Sequence, residues 1–199
     1  MAKSLFIEGM DGSGKSSQIE LLKKYLEKNG KSVLSLREPG GSDYFEALRD
    51  IHFSGTLKRP PMSDALLTGA GRAANISDTK QTLKAGSWVI SDRAYPSTFA
   101  YQVAQGVHWD IVASINNLAL DGFTYDYKIL LDVPVSVARL RVEISGIKKD
   151  HWEKRDEQFF EDIRKNYLKL AQQENHIILN GEDSIEQTHQ QIVQIIEYK

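Results

Sequence analysis

Residues 3–17, KSLFIEGMDGSGKSS, constrain this chain more than any other stretch. A short apolar run (Leu5, Phe6, Ile7) stops at Glu8, and Gly9-Met10-Asp11-Gly12-Ser13-Gly14-Lys15-Ser16 then fits G-x-x-x-x-G-K-[ST] at every position. Glycines let the backbone curl so that its N–H groups point inward at phosphate oxygens, and a helix opening near Lys15 adds its positive end. In such a loop the lysine reaches the terminal phosphates of a triphosphate and the Ser16 hydroxyl holds a magnesium ion. The motif needs a strand before it and a helix after it. Both patterns are present, since Ile19, Leu22 and Leu26 fall on one helical face ahead of the Asn29-Gly30 stop.

At 199 residues the chain is expected to form one domain, 1–199, because no proline- or serine-rich linker and no internal repeat divides it. Its 25 basic residues nearly balance its 27 acidic ones, so neither nucleic acid nor a membrane surface is an expected partner. The absence of cysteine excludes disulfides and thiolate metal sites and fits a reducing compartment. MAKSLFIEGM is too short an apolar run for a signal peptide, and no later segment approaches a membrane span, which gives a cytoplasmic expectation.

Further along, Val33, Leu34 and Leu36 form a second short strand ending in Arg37-Glu38-Pro39-Gly40-Gly41, where proline and two glycines forbid regular structure. A helix over Tyr44–His52 carries Arg49. Pro60-Pro61 breaks the chain, Ser63 or Asp64 is placed to cap a long helix containing Arg72, and Lys84-Ala85-Gly86 ends it. Trp88, Val89 and Ile90 run into Ser91-Asp92-Arg93. Pro96 interrupts, and 97–104 and 109–120 read as helices. Ile129, Leu130 and Leu131 make a fourth strand, Asp132 and Pro134 introduce a helix to about Glu143, and 143–153 reads as a short lid. Phe160, Ile163, Tyr167 and Leu170 stripe the next helix; Ile177, Ile178 and Leu179 form a fifth strand, and Ile185, Ile192 and Ile196 mark a closing helix.

Five short buried runs alternating with helices imply an α/β fold, a five-stranded parallel sheet with helices on both faces. Ligands of such sheets lie beyond the carboxyl ends of the strands. The phosphate loop, Glu38, Asp92 and Arg93 all fall there and converge on one crevice. Phosphoryl transfer asks the protein mainly for positioning and positive charge. Lys15, Ser16 and the loop amides account for a donor triphosphate, while Arg37, Arg49, Arg72 and Arg93 are available for an acceptor phosphate. Arg37 has the competing reading of a tie within the Glu38 loop.

Gly9–Ser17, Arg37-Glu38-Pro39-Gly40-Gly41, Arg72, Ser91-Asp92-Arg93, Ser97–Gln102 (STFAYQ) and Leu131-Asp132-Val133, in this order and spacing, resemble the thymidylate kinase family over nearly the whole chain. The resemblance implies the architecture of phosphate-loop nucleotide kinases, transfer of the ATP γ-phosphate to dTMP to give dTDP, magnesium as cofactor, and a homodimer. It implies that Gly9, Met10, Asp11, Gly12, Ser13, Gly14, Lys15, Ser16 and Ser17 bind ATP, and that Ser16 and Asp92 hold the metal. Asp11, Lys15, Asp92 and Arg93 take the catalytic roles, Arg93 on the acceptor phosphate. Asp11 lies near the acceptor's 3′-hydroxyl and phosphate, Arg49 supports the acceptor, Arg93 holds its phosphate, and Glu38, Pro39 and Ser97 are further substrate-binding residues. Arg72 addresses the thymine edge, Thr98 and Tyr101 read the base and screen the sugar's 2′ side with Gln102 beside them, and Thr68 takes a substrate-binding position next to the base.

Three departures from the family pattern stand out. Thr68 replaces a phenylalanine that stacks on the base, leaving Phe99, Tyr95 or Phe45 to compensate, or a different or modified deoxynucleotide as acceptor. Gly12-Ser13 follows Asp11 where some members have an arginine, which transfers the catalytic cation to the lid. There Arg139 and Arg141 are present, Glu143 and Ser145 replace frequent arginines, and Lys148, Lys149, Lys154 or Arg155 are the substitutes. Finally, Asp150-His151-Trp152-Glu153 replaces Asp-Arg-x-Glu. A nucleotide-binding homologue with weak activity is the alternative these changes raise.

Overall fold

The computed structural model describes residues 1–54, 57, 59–145 and 155–197. Their strands are β1 (Ser4–Glu8), β2 (Val33–Arg37), β3 (Trp88–Asp92), β4 (Tyr127–Asp132) and β5 (Ile177–Asn180). The helices are α1 (Lys15–Lys28), α2 (Asp43–Phe53), α3 (Pro61–Lys84), α4 (Tyr95–Ala104), α5 (Trp109–Leu120), α6 (Val135–Ser145), α7 (Glu157–Gln173) and α8 (Ile185–Glu197). All strand pairs are parallel, in the order β2-β3-β1-β4-β5.

Side-chain alternation along β1 sorts the core into two layers. Leu5 and Ile7 join Ile19, Leu22 and Leu26 of α1 and Ile192 and Ile196 of α8 on one face. Phe6 points the other way, into Ile76 of α3, Tyr95 and Phe99 of α4, Val112 of α5 and Leu170 of α7. The helix-on-both-faces expectation is met. Among the described residues, no helix is long and apolar enough to cross a membrane.

Two helix starts differ from the sequence expectation, for one reason. α3 begins at Pro61, ahead of Ser63 and Asp64, whose N–H groups both reach the Pro60 carbonyl (2.8 and 3.2 Å). α4 begins at Tyr95 and takes Pro96 into its first turn. Proline lacks only an N–H that the first turn leaves unpaired anyway, and its fixed φ suits that turn, so both prolines open helices rather than interrupt them. The lid expectation over 146–153 lies outside the described residues; of 143–153, Glu143–Ser145 form the last residues of α6.

Register aligns the chemistry. Ile7 and Arg37 both sit opposite Asp92, so β1, β2 and β3 end at one edge. β1 is flanked by β3 on one side and β4 on the other, and a crevice opens where the chain order reverses.

Candidate active site

The loop between β1 and α1 takes the curled shape its glycines permit. Gly9, Gly12 and Gly14 have φ of 145°, 81° and 97°. A Cβ on Gly12 would lie 2.3 Å from the Ala138 carbonyl oxygen, so only glycine fits there. Met10 turns its side chain into the core, and its carbonyl accepts from Lys15 Nζ at 2.9 Å. The buried Ser13 hydroxyl has no hydrogen-bond partner among the described residues. Burial and the nearby Arg93 push the Lys15 ammonium below its ordinary pKa, against the pull of Asp11 3.6 Å away. Ser16 Oγ lies 3.3 Å from Asp92 Oδ2. Among the described residues no group of three or more His, Cys, Asp or Glu could hold a metal. A hydroxyl and one carboxylate are nevertheless the hard oxygen donors that suit magnesium when substrate phosphates complete its shell.

Above the loop lies a cleft of about 610 Å³, lined by five cations, Lys15, Arg37, Arg49, Arg93 and Arg141, with Asp11, Glu38 and Asp92 among them. Gly12, Gly14, Ser16 and Ser17 form its floor. Next to it is a smaller cavity of about 80 Å³ that shares Asp11, Glu38, Pro39, Phe53 and Arg93 as walls. Thr68, Arg72, Ser97, Thr98, Tyr101, Gln102 and His52 complete that cavity. The structure therefore brings the residues of α3 and α4 expected on the acceptor side together against the phosphate loop.

Arg93 sits between the two spaces with φ of 69°, an uncommon conformation for arginine. Its guanidinium donates to Asp11, to the Gly9 carbonyl (3.0 Å), to Ser97 Oγ (3.2 Å) and to Tyr167 Oη (2.9 Å). Burial alone would weaken its charge, but Asp11 and its other neighbours hold its pKa well above the ordinary value. For Asp11 burial pulls upward, yet Arg93 and Lys15 overcome it and set the carboxyl at about 2. Asp11 is thus an anion at any working pH.

Arg72 is fully buried and makes five hydrogen bonds, to Glu38 Oε2 through Nε and Nη2 (2.9 and 2.6 Å), to Thr98 Oγ1 (2.9 Å), to Asn116 Oδ1 (2.6 Å) and to the Ala94 carbonyl (3.1 Å). Its donors are turned to protein acceptors, so it forms the cavity wall and anchors Glu38 there. Burial raises the Glu38 carboxyl above its ordinary pKa, against the pull of Arg72. Gln102 is 3% exposed and lines the smaller cavity. Arg49 donates to the Pro39 carbonyl and stacks its guanidinium 4.6 Å from the Phe53 ring centroid. Arg37 pairs with Glu46 at 3.0 Å, and Glu46 accepts from the Gly41 N–H, so the tie within the Glu38 loop is the contact seen.

None of the three rings weighed as replacements for a base-stacking phenylalanine lines the cavity. Phe45 is buried against Gly71, Phe99 packs on Trp109 at 4.6 Å, and Tyr95 hydrogen-bonds Glu174. The rings present are Phe53 and His52 at the end of α2, together with Tyr101. The amphipathic pattern of α2 announced a helix but not that its last turn overhangs a cavity. Of the lid cations, Arg141 donates to the Gly181 and Gly12 carbonyls (2.7 and 3.4 Å) and so ties the β5–α8 turn to the phosphate loop. Arg139 instead lies 5.4 Å from the Phe160 ring, and Lys148 and Lys149 lie outside the described residues. A side groove between that turn and the loop, with Gln18, Arg141 and Gly181–Ile185 among its walls, was also not anticipated.

A family model described as thymidylate kinase matches residues 7–192. The chain is 37% identical over 193 residues to the thymidylate kinase of Thermosipho africanus, covering 96% of this chain and 95% of that one. It is 38% identical over 191 residues to the thymidylate kinases of Sulfurihydrogenibium sp. (94% and 92% covered) and Fervidobacterium nodosum (94% and 95%). The site described above and these matches across its whole span make the chain a member of the thymidylate kinase family.

Proposed function

We propose that this chain transfers the γ-phosphate of ATP to dTMP, giving ADP and dTDP. The observation that carries the reading is the shared wall. Asp11, Glu38, Pro39, Phe53 and Arg93 face both the phosphate cleft and the smaller cavity, so a donor on the loop and an acceptor in the cavity meet without any large rearrangement. An oxygen of the dTMP phosphate attacks the γ-phosphorus as the bond to the ADP oxygen breaks. Lys15 and the loop amides hold the donor phosphates, and the adenosine end lies in the side groove under Arg141. Arg93 and Arg49 hold the acceptor phosphate, and Asp11 keeps Arg93 charged and oriented. Ser16 and Asp92 are the residues that fit a magnesium ion, which when bound neutralises charge on the donor phosphates.

In the acceptor cavity the base lies on Phe53, with Gln102 as its hydrogen-bonding partner and Tyr101 against the sugar. Thr68 turns its hydroxyl back to the Asp64 carbonyl at 2.8 Å and presents a methyl group to the base. This small wall also favours a second reading, a modified or larger base. An ADP-release assay with dTMP, dUMP, dGMP, dCMP and thymidine decides: dTMP is expected to be preferred, and no turnover with dTMP overturns the proposal. A second copy of the chain is proposed to cover the face where Met62 and Leu66 of α3 and Ile111 and Leu118 of α5 are exposed on neighbouring helices. Light scattering should give a dimer mass, lost in Leu118→Glu.

A further inference from the structure

β1 ends in Glu8, which none of these roles uses and which is completely buried. A carboxylate withdrawn from water needs full hydrogen bonding, and Glu8 finds it at the start of α4 and in the phosphate loop. Helix α4 has no cap of its own, because Ala94 precedes it and carries no side-chain oxygen. Glu8 Oε1 takes that place from the neighbouring strand, accepting from the Ala94 and Ser97 N–H groups at 2.8 and 3.1 Å. The Ala94 N–H has no partner within its own turn, the Ser97 N–H is shared with the Ala94 carbonyl at 3.1 Å, and negative charge is favourable at that end. Oε2 accepts from the Gly9 N–H at 3.4 Å, in the phosphate loop. The Ser97 hydroxyl lies 3.1 and 3.0 Å from the two carboxylate oxygens.

The hydrogen bonds have one consistent direction. An ionised Glu8 only accepts, so Ser97 gives it its proton. The Ser97 oxygen then accepts from Tyr167 Oη at 2.9 Å, and Tyr167 accepts from Arg93 Nη1 at 2.9 Å. Nη1 also reaches Ser97 Oγ and the Gly9 carbonyl. One edge of the Arg93 guanidinium is therefore locked into the protein, while Nη2 faces Asp11 and the cavity.

We propose that Glu8 is a positioning residue that registers the acceptor site to the donor loop. Its carboxylate fixes Gly9, the start of α4 and, directly at 3.8 Å and through Ser97 and Tyr167, the locked edge of Arg93 as one unit. The proposal rests on the reading of Arg93 as the ligand of the acceptor phosphate.

The test compares Glu8→Gln, Tyr167→Phe and Arg93→Ala by acceptor KM and kcat, by calorimetric affinity for ATP, and by thermal melting. Glu8→Gln places an NH2 among N–H donors and is expected to raise the acceptor KM about tenfold or more, with ATP affinity within about twofold. Tyr167→Phe keeps the helix cap but opens the relay, and is expected to raise the acceptor KM about threefold to tenfold. A purely structural role would lower the melting temperature and the active fraction while leaving the acceptor KM of the folded enzyme unchanged. Should Glu8→Gln fail to fold, Tyr167→Phe carries the test by itself. The inference is overturned if the folded variants keep the acceptor KM within about twofold of the parent, or if ATP affinity falls as much as acceptor affinity. If Arg93→Ala leaves the acceptor KM unchanged, the role of Arg93 falls and this inference with it. If Arg93→Ala raises it and the other variants do not, only the inference falls.

Discussion

Replacing Arg72 by methionine tests the wall of the smaller cavity directly. Methionine keeps most of the apolar stem but removes all five hydrogen bonds, leaving Glu38 buried with Asn75 at 3.5 Å as its remaining side-chain donor. Breaking a buried ion pair by removing one partner costs about 3–5 kcal/mol. For a chain of this size each kcal/mol is worth roughly 2–4 °C, so the melting temperature should fall by about 10 °C. The pH dependence identifies the cause. Burial already raises the Glu38 pKa, and losing Arg72 raises it further. A carboxyl whose folded pKa lies above its unfolded value favours the fold at low pH, and that contribution is lost as pH rises through the folded pKa. The deficit of Arg72→Met should therefore be larger at pH 8 than at pH 5. Adding Glu38→Gln to Arg72→Met should recover part of it, because an uncharged pair replaces an orphaned charge. Calorimetric melts of the parent, both single variants and the double variant at the two pH values check this. A deficit below about 1 kcal/mol, the same deficit at both pH values, or no recovery in the double variant would refute the reasoning.

Other variants probe separate parts of the molecule. Gly71→Ala would place a Cβ 2.1–2.4 Å from the ring of the fully buried Phe45; despite a helix preference worth about 1 kcal/mol, overpacking should destabilise the fold by about 2 kcal/mol net, seen in urea titration. Burial raises the Glu174 pKa, but hydrogen bonds from His176, Tyr95 and Lys128 outweigh it and set the value at about 2. This carboxylate stabilises the fold above its unfolded pKa, and the contribution is lost as pH falls toward 2, so Glu174→Gln should flatten the drop in melting temperature between pH 6 and pH 3. Phe53→Ala should raise the dTMP KM about tenfold with little change in ATP affinity, the size expected for one lost stacking partner. Gln102→Ala should act on the same side of the reaction, raising the dTMP KM about tenfold because a base edge is left without its partner.

What the chain discloses before folding depends on whether a residue's role belongs to the backbone or to a distant partner. The phosphate loop is a backbone device. Its glycines are dictated by φ values and close approaches a few residues away, so Gly9–Ser16 could be read directly. Glu38, Asp92 and Arg93 were legible for a related reason: each follows an apolar run, and a parallel sheet sends the carboxyl ends of its strands to one edge. Side-chain partnerships across the sheet obey no such local rule. Arg72 was placed among the acceptor cations, yet nothing near it told that Glu38, Thr98 and Asn116 would absorb its donors. Tyr167 read as one ring in a helical stripe, because burial of the ring sets the 3.6-residue period while the hydroxyl at its tip leaves no trace in it. Phe53 was missed in the same way, since amphipathicity tells which face of α2 is buried but not that its last turn overhangs a cavity. Glu8 is the sharpest case. At the end of an apolar strand an acid looks like the place where burial stops, whereas here burial continues through it. The N–H donors at the start of α4, 86 residues or more away in sequence, and the Arg93 guanidinium 3.8 Å away make a buried charge tolerable. Motifs therefore locate the reaction, and the buried polar pairs that hold it in register become visible only when α4 is laid against β1.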